Sequence, residues 1–222
     1  MGVAAVRVLR RAGCDVSFEE RAICCGQPAY NTGYRDEARV VARGLVEAHA
    51  DDDAEAIVVP SGSCAAMVRH LPELFEGHPL HDRAVSVAQR THELAAFLVR
   101  ELGVTDLGAR FSGRLTWHDA CHGLRELGLR DEPRRLLREV RDAELVEVQG
   151  SDSCCGFGGT FSVKYPEVSV AMLDDKLGHL ERAEVDAVVS GDVSCLMQIG
   201  GRLERRGSRV RAVHLAEVLA AR

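Results

Sequence analysis

The sequence predicts an α/β fold with largely parallel sheets, built from two copies of one cysteine-rich repeat. Short apolar stretches typical of strands alternate with longer amphipathic stretches typical of helices along the whole chain. Such alternation is typical of parallel sheets covered by helices. A Cys-Cys-Gly triplet also occurs twice, at residues 24–26 and 154–156. These two observations together indicate a duplicated α/β domain.

Composition excludes several classes of protein. The chain has 222 residues, of which 46% are hydrophobic and 28% charged, with a formal net charge of −6. That balance argues against a surface for nucleic acid or anionic membranes, which would be strongly basic. The longest apolar runs are shorter than the ~20 residues of a membrane helix, and the N-terminus has no secretory pattern. We therefore expect a cytoplasmic protein without a membrane span and without a nucleic-acid partner.

The duplication extends well beyond the triplets. The first cysteine pair aligns with the second at an offset of 130 residues. One inserted residue later, Tyr34 aligns with Tyr165 and Cys64 with Cys195, both at an offset of 131 residues. The segments "AEAIVVPSGSCAAMV" and "VDAVVSGDVSCLMQI" therefore occupy the same place in the two copies. Self-similarity at a fixed offset indicates that one structural unit is built twice.

In the first copy, each predicted element follows from its local pattern. A helix at 2–13 ends at a glycine, and an alternating strand follows at 14–19. Helical periodicity covers 35–50 and 63–75, on either side of a short apolar strand at 55–62. A polar stretch at 76–91 and an amphipathic helix at 92–102 then join the copies. We predict a first repeat at 1–76 and a connecting helix and loop at 77–112.

The second repeat is predicted at 113–222 by the same patterns. Alternating apolar residues predict strands at 114–121 and 143–149, and a short buried strand is predicted at 186–191. Between them lie amphipathic helices at 131–141 and 166–183, each with a proline near its start. A further helix is predicted at 194–207, and a strand and helix at 210–221 close the chain.

The cysteines of the second repeat are placed to meet. Cys121 ends one predicted strand, Cys154 and Cys155 lie in a loop after the next, and Cys195 begins a helix after a third. The carboxyl ends of parallel strands share one edge of the sheet, where ligand sites collect. Adjacent cysteines can face one centre only if the backbone turns, and glycine permits such a turn. We expect this freedom from Gly156, Gly158 and Gly159, and from Gly26 in the first repeat.

Four thiolates from three segments suit an iron–sulfur cluster or a four-thiolate zinc site. The common zinc pattern of two CxxC pairs is absent from the sequence, and a cluster core offsets more thiolate charge than one zinc ion does. Thiol or disulfide chemistry is the third possibility, although the ring of a vicinal disulfide is strained. The residue pattern alone leaves these three alternatives open.

At these motifs the chain resembles a known family. "HDACHGLRELGL", "SCCGFGGTFSVKYPEVS", "SCLMQIGGRL", "ICCGQPAYNTGY" and "PSGSCAAMVRH" resemble the CCG-domain iron–sulfur proteins. That family includes the lactate utilisation proteins of the A type, the B subunit of heterodisulfide reductase and the iron–sulfur subunit of glycolate oxidase.

The resemblance implies a cytoplasmic subunit that works in the oxidation of L-lactate to pyruvate. It implies two partner subunits, one of them a further iron–sulfur protein. It also implies a [4Fe–4S] cluster held by Cys121, Cys154, Cys155 and Cys195, with Cys24, Cys25 and Cys64 as the matching set of the first repeat. Glycolate oxidation, disulfide reduction and a zinc-stabilised scaffold are the alternative functions.

The sequence departs from the heterodisulfide reductase pattern in two ways. The last cysteine of each CxxC is replaced, by Met67 in the first repeat and by Gln198 in the second. The counterpart of Cys121 in the first repeat would also lie about ten residues before Met1. We therefore expect the first repeat to lack its opening strand and one ligand, either because the chain is truncated or because its first site has three protein ligands.

Two histidines flank Cys121. His118 and His122 are candidates for ligands, proton carriers or supporting hydrogen-bond partners of the centre, because imidazole titrates near neutral pH and binds metals. The glycine runs do not have the GxGxxG spacing of a dinucleotide site. No residue is assigned to catalysis from the sequence.

Overall fold

The structure is a computed structural model that describes residues 1–21 and 24–222. Its strands are β1 (Ile57–Val59), β2 (Thr91–Glu93), β3 (Arg110–Trp117), β4 (Arg141–Leu145), β5 (Ala187–Ser190) and β6 (Arg211–His214). Its first helices are α1 (Gly2–Arg11), α2 (Gln27–Tyr30), α3 (Arg35–Ala50), α4 (Gly62–Arg69), α5 (Leu71–Leu74), α6 (His81–Arg90) and α7 (Leu94–Ala96), which continues as a π-helical turn over Phe97–Glu101. The remaining helices are α8 (Cys121–Arg125), α9 (Asp131–Arg138), α10 (Thr160–Lys164), α11 (Pro166–Arg182), α12 (Val193–Arg205) and α13 (Leu215–Ala220).

The second repeat contains a four-stranded sheet in the order β4-β3-β5-β6. Each neighbouring pair is parallel. Leu115 of β3 lies opposite Leu145 of β4 on one side and Ala187 of β5 on the other. All four residues of β5 are buried, as expected for a strand covered on both faces. The predicted α/β class with parallel sheets is confirmed.

The first repeat contains a smaller sheet than its partner. Strands β1 and β2 pair in parallel, with Ile57 opposite Thr91 and Val59 opposite Glu93. Strand β2 lies in the segment 77–112, which was predicted as a connecting helix and loop. That segment therefore contributes to the first sheet, and α6 crosses between its two strands. The outer boundaries of the three predicted segments stay predictions.

The strand predicted at 14–19 is not formed. These six residues are all described, and they lie in irregular backbone between α1 and the first cysteine pair. The reason is visible in the second repeat, where β4 pairs with β3 alone. At the offset of the repeat, the counterpart of β3 falls before residue 1, so within the described residues the stretch at 14–19 has no such strand to pair with. A segment of alternating polar and apolar residues does not form a strand unless a neighbouring strand pairs with it.

The duplication continues into β2 and α7. Glu93 ends β2 and caps α7, its carboxylate accepting from the backbone N–H groups of Ala95 and Ala96 at 2.7 and 3.1 Å. His214 ends β6 and caps α13 in the same way, its Nδ1 accepting from Ala216 N–H at 3.0 Å. Strand pairs β1–β2 and β5–β6 are therefore equivalent. Sequence alignment missed this match because the chain between the strands is ten residues shorter in the second copy.

The two repeats are joined by hydrogen bonds between equivalent turns. Ser63 N–H donates to the Asp192 carboxylate at 2.8 Å, and Gly62 N–H donates to Gly191 O at 3.3 Å. His214 Nε2 lies 3.1 Å from Pro60 O. The turns that precede α4 and α12 therefore touch each other. These two turns position the last cysteine of each repeat.

A buried ion pair fixes the segment that follows β3. Asp119 is 2% exposed, and both its oxygens accept from the Arg134 guanidinium at 2.8 Å. Arg134 Nε also donates to Glu147 at 2.8 Å. Burial alone would raise the pKa of Asp119, but the hydrogen bonds from Arg134 outweigh burial and hold that pKa below its ordinary value. Helix α9 is thereby tied to the turn that carries Cys121.

No helix in the described ranges combines the length and the apolar character needed to cross a membrane.

We predict that Arg134→Ala destabilises the protein strongly, because it leaves the Asp119 carboxylate buried and unpaired. Removing one partner of a buried pair costs about 3–5 kcal/mol. Arg202→Ala is the matched control, because Arg202 also binds a carboxylate through two nitrogens but both side chains are about 30% exposed. Exposed pairs contribute about 0–1 kcal/mol. Urea unfolding at matched metal content measures both; equal losses in the two variants would contradict the prediction.

Candidate metal centre

Helix starts at the carboxyl ends of parallel strands carry three of the cysteines. Cys121 is the first residue of α8, which follows β3, whereas the sequence analysis had placed it at the end of a strand. Cys195 is the third residue of α12, which follows β5, and Cys64 is the third residue of α4, which follows β1. All three thiols therefore lie at the starts of helices that follow strands of the two parallel sheets.

The four cysteines of the second repeat line one cavity of about 340 Å³. The Sγ atoms of Cys155 and Cys195 are 3.1 Å apart. Cys155 and Cys195 are buried, whereas Cys121 and Cys154 are partly exposed. Residues separated by up to 74 positions thus converge on one space, as the sequence spacing predicts. The structure therefore brings the whole predicted ligand set of this repeat together.

Three glycines shape the loop that carries Cys154 and Cys155. Gly156, Gly158 and Gly159 all have positive φ, at 79°, 51° and 63°. Gly156 N–H donates to Cys154 Sγ at 3.3 Å, and Gly26 N–H donates to Cys24 Sγ at 3.5 Å in the other repeat. Such N–H···S hydrogen bonds stabilise thiolate charge and tune a metal centre. The same turn is thus built in both repeats.

The thiols of this cavity hold one another protonated when no cation is near. Burial and the neighbouring Cys154 raise the pKa of Cys121. The hydrogen bond with Cys155, and then burial, raise the pKa of Cys154. The hydrogen bond from Cys154 lowers the pKa of Cys155, but Cys195 and burial outweigh it and bring that pKa to about 12. Four thiolates can coexist here only around a positive centre, so the donor set fits a metal or an iron–sulfur core.

Lys176 is a buried residue of the site that sequence reasoning missed. It is 3% exposed, and its Nζ donates to Gly150 O at 2.6 Å and to Ser151 O at 3.3 Å. Burial lowers the pKa of this lysine, while the charges of Cys155 and Cys195 oppose that shift. Its ammonium group therefore holds the loop before Cys154 and adds positive potential. The sequence feature that could have identified Lys176 is its place on the apolar face of α11, beside Leu173 and Leu177.

Ser169 is the second residue that sequence reasoning missed. Its Oγ donates to Gly156 O at 2.7 Å and accepts from the Gln198 amide at 2.9 Å. Gln198 thus holds the cysteine loop at the position where the heterodisulfide reductase pattern has a further cysteine. At the equivalent position of the first repeat, Met67 is 1% exposed and packs in the core. Neither substituted position provides a thiolate.

The two candidate histidines lie in different surroundings. His118 is 2% exposed, and one ring nitrogen lies with the Sγ atoms of Cys155 and Cys195 in a group whose members are within 4.8 Å of one another. Burial, and then the charge of Lys176, lower the pKa of His118 to about 3. His122 is partly exposed, and its Nδ1 lies 3.5 Å from Cys121 Sγ. Only His118 therefore belongs to the buried side of the centre.

The three cysteines of the first repeat line a separate cavity of about 650 Å³. Cys25 and Cys64 share a hydrogen bond, which lowers the pKa of Cys64 and raises that of Cys25. Six residues line both this cavity and the cavity of the second repeat: Gln27, Pro28, Ser63, Phe157, Asp192 and Ser194. The two candidate centres are therefore direct neighbours.

We predict that Gly156→Ala prevents correct formation of the cysteine loop. A Cβ at Gly156 would lie 2.4 Å from Ser169 O, a backbone atom that cannot move aside cheaply. Gly159→Ala is the matched control, because it has similar positive φ but nothing within 4 Å of its Cβ position. The control should lose about 1–2 kcal/mol from backbone strain alone, and Gly156→Ala more, together with its bound metal. Denaturation curves and metal analysis test this; similar behaviour of the two variants would contradict it.

Comparison with known proteins agrees with this arrangement. The cysteine-rich domain family CCG matches residues 1–69 and 115–200. Lactate utilization protein A of Geobacillus kaustophilus is 48% identical over 100% of this chain and 92% of its own length. The proteins of the same name from Oceanobacillus iheyensis and Bacillus subtilis are each 44% identical, over 99% and 100% of this chain and 89% and 93% of their own lengths. The matched ranges contain both Cys-Cys-Gly triplets and all three helix-start cysteines, so the chain belongs to the CCG cysteine-rich domain family.

Proposed function

We propose that this protein is an iron–sulfur electron-transfer subunit of a system that oxidises L-lactate to pyruvate. The observation that carries the proposal is the convergence of Cys121, Cys154, Cys155 and Cys195 on one cavity. The thiols come from three segments of chain, each placed by a strand of one parallel sheet. Such a set is a complete protein donor set for a [4Fe–4S] cluster.

The shape of the site favours a cluster over a single zinc ion. Structural zinc sites close tightly around the ion with four ligands. Here the four thiols line a space of about 340 Å³, which is more than one ion needs. The hydrogen bond from Gly156 N–H to Cys154 Sγ is of the kind that tunes cluster potentials. Zinc remains the alternative, and metal analysis distinguishes the two.

When bound, a cluster would supply reversible one-electron transfer. The residues of this chain would hold it, limit water on its inner side and set its electrostatic surroundings. Buried Cys155 and Cys195 form the inner wall, and Lys176 places a positive charge behind the loop. The neighbouring cavity of Cys24, Cys25 and Cys64 shares lining residues with this one. That adjacency supports a second centre within reach for electron transfer, with Cys24, Cys25 and Cys64 among its ligands.

The assignment to lactate rests on the relatives. The proteins named lactate utilization protein A match this chain at 43–48% identity over almost its full length. The letter in that name supports a system of several subunits, and we propose two partners, one of them a further iron–sulfur protein. Glycolate oxidation is the alternative substrate assignment. Disulfide reduction is disfavoured by Met67 and Gln198, which fill the positions of the missing cysteines.

We predict about four iron and four sulfide per chain in the second repeat after anaerobic purification, with broad absorption near ~400 nm. Cys155→Ala should lose this cluster, because its thiol forms the inner wall. Cys14→Ala is the matched control, because Cys14 packs against the hydrophobic core away from both cavities. Iron, sulfide and zinc analysis with absorption spectra makes the measurement.

Stoichiometric zinc in a colourless protein would contradict the electron-transfer role and leave a structural scaffold. If the wild type contains more than four irons per chain and the excess iron remains in Cys155→Ala, the first repeat also binds a cluster. Loss of iron in Cys14→Ala to the same extent would show that the variants act through folding rather than ligation.

We predict that deletion of the gene abolishes growth on L-lactate as the carbon source. Plasmid-borne wild-type protein and Cys14→Ala should restore growth, whereas Cys155→Ala should not. Growth on glucose should be the same in all strains. Undiminished growth of the deletion strain on L-lactate would overturn the substrate assignment, and a defect confined to glycolate would replace it with the alternative.

A further inference from the structure

His118 lies beside the buried thiols of Cys155 and Cys195 and has one ring nitrogen without a hydrogen-bond partner in the part of the chain that the structure describes. The side chain is 2% exposed, and its Nε2 has no hydrogen-bond partner within the described ranges. Its Nδ1 lies 3.2 Å from the carbonyl oxygen of Ser151. A buried polar atom without a partner is costly and calls for an explanation. The histidine is the only one among the described residues whose ring nitrogen groups with two buried thiols.

The contact with Ser151 determines which nitrogen carries the proton. A carbonyl oxygen only accepts, so Nδ1 must donate its hydrogen to Ser151 O. In the neutral ring Nε2 then has a free lone pair. A histidine that donates one nitrogen to a backbone carbonyl and offers the other as a lone pair has the arrangement of a metal-binding imidazole.

The alternative role is a hydrogen bond to sulfur, and the surroundings argue against it. Nε2 could donate to a thiolate only if the ring carried a second proton. That positive charge would be fully buried, close to the ammonium group of Lys176, which donates to the same Ser151 carbonyl. A metal bound by Cys155 and Cys195 would instead use the lone pair directly.

Strand β3 accounts for the position of this donor. His118 follows Trp117, the last residue of β3, and its N–H donates to Val189 O of β5 at 2.8 Å. The same turn leads to Cys121 three residues later. At the offset of the repeat, the counterpart of this histidine falls before residue 1.

We propose that His118 Nε2 is a ligand of the metal centre in the second repeat, bound next to the thiolates of Cys155 and Cys195. The centre then has a mixed nitrogen and sulfur donor set, with the imidazole on its buried side. This inference rests on the proposed function only in requiring that the cavity binds a metal. A [4Fe–4S] cluster has four irons, so with His118 as a ligand only three of the four cysteines bind it. Imidazole in place of thiolate removes a negative charge and raises the potential of an iron–sulfur centre.

Pulsed electron paramagnetic resonance of the reduced, full-length protein tests the proposal. The protein is labelled with ¹⁵N-histidine and loaded with ferrous iron and sulfide. We expect a strongly coupled nitrogen in the wild type and in the matched control His122→Gln, and its loss in His118→Gln. His118→Cys should keep the iron, lose the nitrogen coupling and lower the reduction potential. The wild-type spectrum decides the question even where a variant fails to fold.

The outcomes separate this inference from the proposed function. A wild-type cluster without a coupled nitrogen, or with one that persists in His118→Gln, would overturn the histidine ligand and leave the electron-transfer role intact. If the protein binds only zinc, X-ray absorption at the zinc edge replaces the resonance measurement. Nitrogen in the zinc shell, lost in His118→Gln, would support the ligand while the electron-transfer role fails; an all-sulfur shell would overturn the ligand. A chain that binds neither iron nor zinc would overturn both.

Discussion

The candidate centre depends on the pairing of β3 with a parallel strand on each side. Leu115 lies opposite Leu145 and Ala187 at once, so the chain that leaves β3 emerges between the loops that follow β4 and β5. Cys121, the Cys154–Cys155 pair and Cys195 follow these three strands. Parallel pairing directs all three carboxyl ends to the same edge. Strand β3 joins β4 to β5 in the sheet, and without it the four thiols would have no common space.

Backbone conformation at one glycine decides whether the thiols that reach this edge can face one centre. Gly156 has a φ of 79°, and its Cα approaches the backbone of Ser169 so closely that no side chain fits. Gly26 has a φ of 83° and approaches Ala38 in the same way. Ser169 and Ala38 are equivalent at the offset of the repeat. The glycine of each triplet is therefore needed for a helix contact as well as for a turn, because α3 and α11 pack directly on the cysteine loops.

Sequence reasoning predicted what depends on local pattern and spacing, and it failed where partners decide. The longer helices α1, α3, α9, α11 and α12, the central strands and the meeting of the four cysteines followed from periodicity and from the rule for parallel strand ends, whereas α6 was missed inside a polar stretch. The strand expected at 14–19 is not formed, because no strand of the described residues pairs with it. Strand β2 was missed because its three residues are too few to show the alternation of polar and apolar residues that is typical of a strand. Lys176 and Asp119 were not identified as buried, since charged residues are buried only when a partner from another element reaches them.

The difference in donor groups between the two repeats depends on β3. In the second repeat β3 delivers Cys121 and His118, so the site has four thiols and one buried imidazole. The first repeat has the cysteine pair and Cys64 in a larger cavity. Asp192 lies between the two sites, accepting from Ser63 N–H of the first repeat and capping the helix of Cys195 through Ser194 N–H at 3.2 Å. A change of charge at either site therefore acts on the same buried carboxylate, and this carboxylate couples the two cysteine sites.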